Sequence, residues 1–176
     1  MPRVFVAAGS NIEPERNLAL ASRELRRAWP DVQFSPWYRN RAAGFAGEDF
    51  INFAVAFSSE QPVHTVVAQL RSIEELCGRP RAAAKWAPRS MDLDVLMYGD
   101  LVCEEPGLKL PRPDLLKRAY MLGPLADIAP GILHPTAGAT IAMLWQRFDR
   151  DAHPLIRIAP HPPSAPSPPP TEEREG

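Results

Sequence analysis

Apolar residues recur along the chain at two spacings, and the switches between them mark the elements. Residues 3–8 form a short apolar run, long enough for a strand, closed by Gly9-Ser10-Asn11. Pro14 suits the first turn of a helix, where its missing N–H is not needed. Leu18, Ala21, Leu25 and Ala28 then repeat at helical spacing, and Pro30 ends the run. Residues 32–39 predict a strand, and residues 50–58, rich in Phe, Val and Ile, predict another. Pro62 opens a second helix with Val63, Val66, Leu70, Ile73 and Cys77 on one face, and Gly78 closes it. Residues 79–90 carry no regular pattern. Residues 93–98 predict a strongly apolar strand, and shorter helices are expected near residues 115–126 and 141–148. No internal repeat is visible. Strand, helix, strand, strand, helix, strand is the ferredoxin-like order. It predicts an α+β sandwich: a mostly antiparallel sheet with helices packed on one face.

Composition sharpens this picture at three points. A length of 176 residues suits one domain, and 45% hydrophobic with 23% charged residues is ordinary for a globular chain. The net charge of −1 argues against nucleic-acid binding by counterion release, so any anion site must come from local clustering of Arg and Lys. Cys77 and Cys103 stand in no metal-ligand spacing and fit a reducing compartment. The apolar start is too short for a signal sequence, and no stretch has the length of a membrane span. A cytoplasmic protein is expected, and a monomer. Proline, at 21 residues, is the outlier. Much of the excess lies in residues 160–170, so the domain is expected to occupy residues 1–158 and a disordered tail residues 159–176.

Candidate chemistry begins at Asp92-Leu93-Asp94. Alternate strand residues share a face, so Asp92 and Asp94 would project together while Leu93 and Val95 enter the core. Two carboxylates facing one cleft can hold Mg²⁺ that also binds phosphate oxygens. Taken alone, the pattern more often marks a half-buried strand with a polar outer face. Just upstream, Arg79, Arg81, Lys85 and Arg89 share a loop with Trp86 and Pro88. Guanidinium groups bind phosphates bidentately and stay charged, although charges alone would also suit a solvated loop. Cations for a polyphosphate thus stand beside carboxylates for its metal. Neither a P-loop nor a protein-kinase motif set is present, and Gly9-Ser10-Asn11 reads better as a plain turn than as a phosphate loop. Phe50, Asn52 and Tyr120 could offer aromatic faces and an amide edge to a flat heterocycle, or serve packing singly.

These residues together resemble the 6-hydroxymethyl-7,8-dihydropterin pyrophosphokinase family over about the first 150 residues. Gly78-Arg79-Pro80-Arg81 and Trp86-Ala87-Pro88-Arg89-Ser90-Met91-Asp92-Leu93-Asp94 are similar to the family's Arg pair, W-G-P-R and D-L-D. Gly9-Ser10-Asn11, Phe50-Ile51-Asn52 and Arg118-Ala119-Tyr120-Met121-Leu122 match further family segments. The resemblance implies transfer of pyrophosphate from ATP to a pterin alcohol in folate synthesis. Asp92 and Asp94 would bind two Mg²⁺ ions. Arg79, Arg89 and Arg118 would contact or assist the phosphates, with Arg112 on the nucleotide side. Arg81 and Trp86 would lie in a loop closing over the substrates, and Glu74 near the nucleotide. Phe50 and Tyr120 would sandwich the pterin, Asn52 would bond its ring, and Gly44 would stand at the same pocket.

Three departures stand out. Residues 38–44 lack the Thr and Pro of a family Y-x-T-x-P-x-G, Arg112 replaces a His, and Ala87 replaces a Gly. They leave open a relative acting on another pterin, or one without activity. An RNA-binding ferredoxin-like module is the other class weighed, but its K/R-G-F-G-F-V-x-F run is absent.

Truncation after Ala159 should leave melting temperature and turnover almost unchanged, because the tail's composition does not pack. Thermal melts and steady-state assays of the shortened chain check this, and a large drop in either would show the tail docking on the domain.

Overall fold

The computed structural model describes residues 1–40, 49–78 and 91–158. The basic loop, Gly44 and the Pro-rich tail lie outside the described residues.

Strand β1, Arg3–Ser10, is an interior strand of the sheet. It pairs antiparallel with β4, Phe50–Ser58, on one side and with β5, Asp92–Tyr98, on the other. Beyond β4 lie β2, Gln33–Phe34, and β3, Trp37–Asn40, and beyond β3 the edge strand β8, Ile156–Ile158. Every described pairing is antiparallel. The order β5-β1-β4-β3 is that of the ferredoxin-like pattern.

Helix α1, Pro14–Ala28, and α2, Val63–Leu76, cover one face. Leu18, Ala21 and Leu25 of α1 and Val66, Leu70 and Ile73 of α2 pack with Val4, Val6, Ala8, Phe53, Val55 and Phe57 from the sheet. Full burial of a Leu contributes about 1.5–3 kcal/mol, so this layer forms most of the core. Ala28, expected on the buried stripe, is exposed; the helix ends there, and Trp29 instead turns inward and stacks on Phe57 at 4.0 Å.

The second face is covered too, which one-sided packing had not anticipated. Helix α3, Ala119–Ile128, and α4, Ile141–Arg147, close over Phe5, Ala7, Ala54, Ala56, Leu96 and Met97. Small residues at Ala7, Ala54 and Ala56 let α3 approach the sheet. Gly123 lets α4 approach α3, since a Cβ there would lie 2.9 Å from both Trp145 and Leu155 side-chain atoms.

Several boundaries differ from the pattern for local reasons. The strand expected over residues 32–39 breaks at Ser35-Pro36, because proline has no N–H for the ladder. The Ser35 hydroxyl fills the gap by accepting from Ala54 N at 2.7 Å. A bulge at Leu96 shifts side-chain parity, so Leu93 and Val95 face α1 and α2, whereas Leu96 and Met97 face α3. The helix expected over residues 115–126 is a 3-10 turn, Pro113–Leu116, followed by α3. A hairpin of β6, Cys103–Glu105, and β7, Leu108–Leu110, was not foreseen. Its turn, Pro106 then Gly107 at φ +82°, has type II chemistry.

His134 is 2% exposed, and its Nδ1 accepts from the N–H groups of Thr136 and Ala137. Burial lowers its pKa below the ordinary value of 6.5. The neutral ring therefore adds stability that is complete above the unfolded value and declines as pH falls from there towards the folded one. His134→Asn keeps an acceptor without titrating. Thermal melts between about pH 7 and about pH 5 should show a steeper loss for the native chain than for this variant; parallel curves would contradict the account.

Candidate active site

The site grows from the far end of the second face, beyond the reach of α4. Register sets its contents. Asp92 pairs with Gly9, Gly9 with Asn52, and Asn52 with Tyr38, so one row crosses four strands. Directly opposed residues point the same way, and the row below is Asp94, Ala7 and Ala54. Ala7 and Ala54 are buried under α3, which places Asp92, Asp94, Asn52, Phe50 and Tyr38 on that same face. Leu93 and Val95 point into the opposite core, as alternation requires.

Asn52 is 5% exposed, and its Nδ2 donates to Asn40 Oδ1. The other end of the amide lies over Gly9, where a Cβ would stand only 2.5 Å from Asn52 Oδ1. Gly9 is thus a strand residue whose missing side chain makes room for the amide. The turn proper follows it: Ser10 Oγ and Asn17 Nδ2 both donate to the Ile12 carbonyl, at 3.1 and 2.7 Å. Tyr38 donates its hydroxyl to Asp127 of α3. Burial, then that bond, pushes its pKa up to about 12.

Asp92 and Asp94 are half-buried, with the Asp94 side chain 21% exposed. Two supports hold their strand. From below, Glu74 of α2, 2% exposed, accepts from Leu93 N at 2.9 Å, between the two aspartates. Arg71, one turn earlier on α2, binds both Glu74 oxygens at 2.8 and 2.9 Å. Burial opposes the Arg71 charge, but Glu74, then Asp94 and Asp92, outweigh it and raise the pKa. From the side, Arg112 N donates to Leu96 O at 2.8 Å, which brings the residue after the β6–β7 hairpin against β5. The Arg112 guanidinium then lies 3.8 Å from Asp94 Oδ1 and 3.7 Å from Asp114 Oδ2.

Tyr120 enters from the first turn of α3, and Arg118 caps that helix, exposed. Burial raises the Tyr120 pKa. Arg118 lowers it, Asp114 and Asp94 raise it, and Arg112 lowers it again, so its hydroxyl feels all four charges. Of the residues singled out from sequence, Asp92, Asp94, Phe50, Asn52, Arg112, Arg118 and Tyr120 belong to this one region, and Glu74 lies beneath it. Arg79, Arg81, Trp86, Arg89 and Gly44 lie outside the described residues. Arg71, Asn40, Tyr38 and Asp114 were missed. Only Arg71 left a trace in the sequence, as an i,i+3 partner of Glu74.

The region therefore holds two strand carboxylates with Arg112 beside one of them, the Asn52 amide, and the aromatic side chains of Phe50 and Tyr120. The family model for 7,8-dihydro-6-hydroxymethylpterin-pyrophosphokinase (HPPK) matches residues 5–130. The chain belongs to this family. Among HPPK relatives, a 2-amino-4-hydroxy-6-hydroxymethyldihydropteridine pyrophosphokinase of Synechocystis is 37% identical over 147 residues, 82% of this chain and 75% of its own. One from Methylorubrum extorquens is 34% identical over 153 residues, 85% of this chain and 95% of its own. The structure of wild-type Plasmodium falciparum HPPK-DHPS with SDX-DHP aligns with a TM-score of 0.60 at 13% identity. That match covers 83% of this chain and 43% of the other, and carries the HPPK fold alone.

Gly9→Ala should displace the Asn52 amide and cost about 1–3 kcal/mol of stability, as overpacking generally does. Side-chain amide resonances of Asn52 report the displacement directly. Unmoved resonances with unchanged stability would show that the amide does not need the space above Gly9.

Proposed function

We propose that this chain moves pyrophosphate from ATP to the alcohol of 6-hydroxymethyl-7,8-dihydropterin, releasing AMP, with Mg²⁺ held by Asp92 and Asp94. Family membership supports the reaction and its place in folate biosynthesis. The observation that carries the site is the register that sets Asp92 and Asp94 on one face, in rows with Asn52 and beside Arg112.

The donor set fits Mg²⁺. Two hard carboxylates share a partly open face, and no cluster of three or more metal-ligating side chains occurs among the described residues. Mg²⁺ suits such a site because it keeps several waters and takes its other ligands from substrate phosphates. When bound, two such ions would neutralise phosphate charge and orient the attacking alcohol against the β-phosphorus. The chain's own residues do the rest. Glu74 and Arg71 fix the carboxylates from beneath. Arg112 and Arg118 offer charge to a triphosphate, and Arg79 and Arg89 are assigned there by resemblance, with Arg81 and Trp86 in a loop over the substrates. Phe50 and Tyr120 offer aromatic faces to a flat ring, and Gly44 is assigned to the same pocket by resemblance alone. Asn52, oriented by Asn40, offers an amide to the ring edge. The Tyr120 hydroxyl, protonated at neutral pH, is available as a donor. Positioning and charge stabilisation supply most of the catalysis in such transfers.

The domain we assign is residues 1–158, acting as a monomer. Free thiols at Cys77 and Cys103 favour the cytoplasm. No helix among the described residues is long and apolar enough to cross a membrane. An RNA-binding role is disfavoured because α3 and α4 cover the face that an RNA-binding module leaves open for base stacking.

Incubation with ATP, Mg²⁺ and the pterin alcohol should yield AMP, and stoichiometric ADP would sink the proposed transfer. Asp92→Asn or Asp94→Asn should lower turnover by roughly a hundredfold or more, several kcal/mol of lost charge stabilisation, with the fold intact. Full turnover in the folded variants would make these residues structural.

A further inference from the structure

Arg112 stands where the family has a histidine, and its surroundings are unusual. The guanidinium sits between two carboxylates, NH1 at 3.8 Å from Asp94 Oδ1 and Nε at 3.7 Å from Asp114 Oδ2. Both distances exceed hydrogen-bonding range, so charge alone holds it. Its Nε is buried and has no hydrogen-bond partner among the described residues. A buried donor left unmet favours any shift that finds it an acceptor. The backbone, by contrast, is fixed by the bond from Arg112 N to Leu96 O at 2.8 Å. A long side chain on a fixed stem can therefore lean towards either carboxylate at small cost.

We propose that Arg112 is a built-in competitor for the cation at Asp94, and that it moves to Asp114 when a divalent ion takes the Asp94 carboxylate. This rests on the reading of Asp94 as a metal ligand. A divalent ion on the Asp94 carboxylate repels a guanidinium 3.8 Å away and takes over much of the charge that held it, so metal binding favours departure of the arginine. Asp114 is the acceptor for the displaced charge: it stands two residues on, in the 3-10 turn that Arg112 itself caps. Metal binding in the absence of nucleotide is thereby weakened. When a polyphosphate arrives it offers the guanidinium a further acceptor, so nucleotide and metal bind as a coupled pair. A histidine at this place, mostly neutral at pH 7, would compete far less.

The test is nucleotide-free Mn²⁺ binding, followed by calorimetry and by the spin signal of free Mn²⁺, on the full chain. Arg112→Gln and Arg112→His should each bind Mn²⁺ about threefold to tenfold tighter than the native chain, the scale of a partly exposed ion pair. Asp114→Asn should weaken binding in the native background, because Arg112 is then left to Asp94 alone, and should change little in the Arg112→Gln background. Equal affinity in the native chain and both Arg112 variants would overturn the proposal. Equal weakening by Asp114→Asn in both backgrounds would overturn the transfer to Asp114. Asp94→Asn separates the two readings. If it binds Mn²⁺ like the native chain, Asp94 is not a ligand, and the site reading falls with the inference. If it loses binding while Arg112→Gln leaves affinity unchanged, only the inference falls.

Discussion

The register of β1 against both its neighbours is the constraint on which the site depends. Gly9 opposes Asn52 on one side and Asp92 on the other, and Ala7 opposes Ala54 and Asp94. A slip of one residue would send both aspartates and the asparagine to the opposite face, among Leu18, Leu25 and Leu70 of the helices. The alternation of bulky and small apolar residues along β4 opposes that, because Phe53, Val55 and Phe57 would then crowd the face where Ala54 and Ala56 leave room for α3. The hydrophobic effect, acting on residues remote from the chemistry, thus aligns the polar groups. Small residues complete the arrangement. Ala7, Ala54 and Ala56 admit α3 to the sheet, and Gly9 admits the Asn52 amide.

Charge compensation is the second theme. Two aspartates on adjacent same-face positions repel each other, and the fold sets positive charge around them, with Arg71 beneath and Arg112 beside. Glu74 is a buried carboxylate made tolerable by Arg71 and by the Leu93 N–H it accepts. Removing Arg71 would therefore disturb the strand through Glu74 as well as the local field. The same positive charge suits a polyphosphate, so groups that stabilise the free protein also prepare it for an anionic ligand.

Covering both faces of the sheet separates this fold from an open ferredoxin-like platform. Helices α1 and α2 form the face that strand periodicity anticipates. Among the described residues, the additional α3 and α4 cover the apolar part of the second face, and the polar row lies at one end of that face. Tyr38 ties the two parts together by bonding Asp127 across from β3 to α3.

Strand and helix identities were legible in the sequence because each buried stripe repeats with its own period. Phe50–Ser58 and the α1 and α2 faces follow directly from that rule. Asp92 and Asp94 were legible as a same-face pair for the same reason. Short or punctuated elements were not: β6, β7 and β8 are three residues each, too short for a period to register. Ser35-Pro36 interrupts a strand whose pattern runs on, and the bulge at Leu96 reverses parity with no mark in composition. Long-range partners were hidden altogether. That Gly9 is a seat for Asn52, that Glu74 holds Leu93, and that Arg112 stands between Asp94 and Asp114 depend on contacts between residues far apart in the chain or across a turn. The chain's local periodicities determined the main strands, the buried faces of α1 and α2 and which chemistry is available. Tertiary packing alone decided which of those groups meet, because register and helix docking are set by the whole core rather than by any segment.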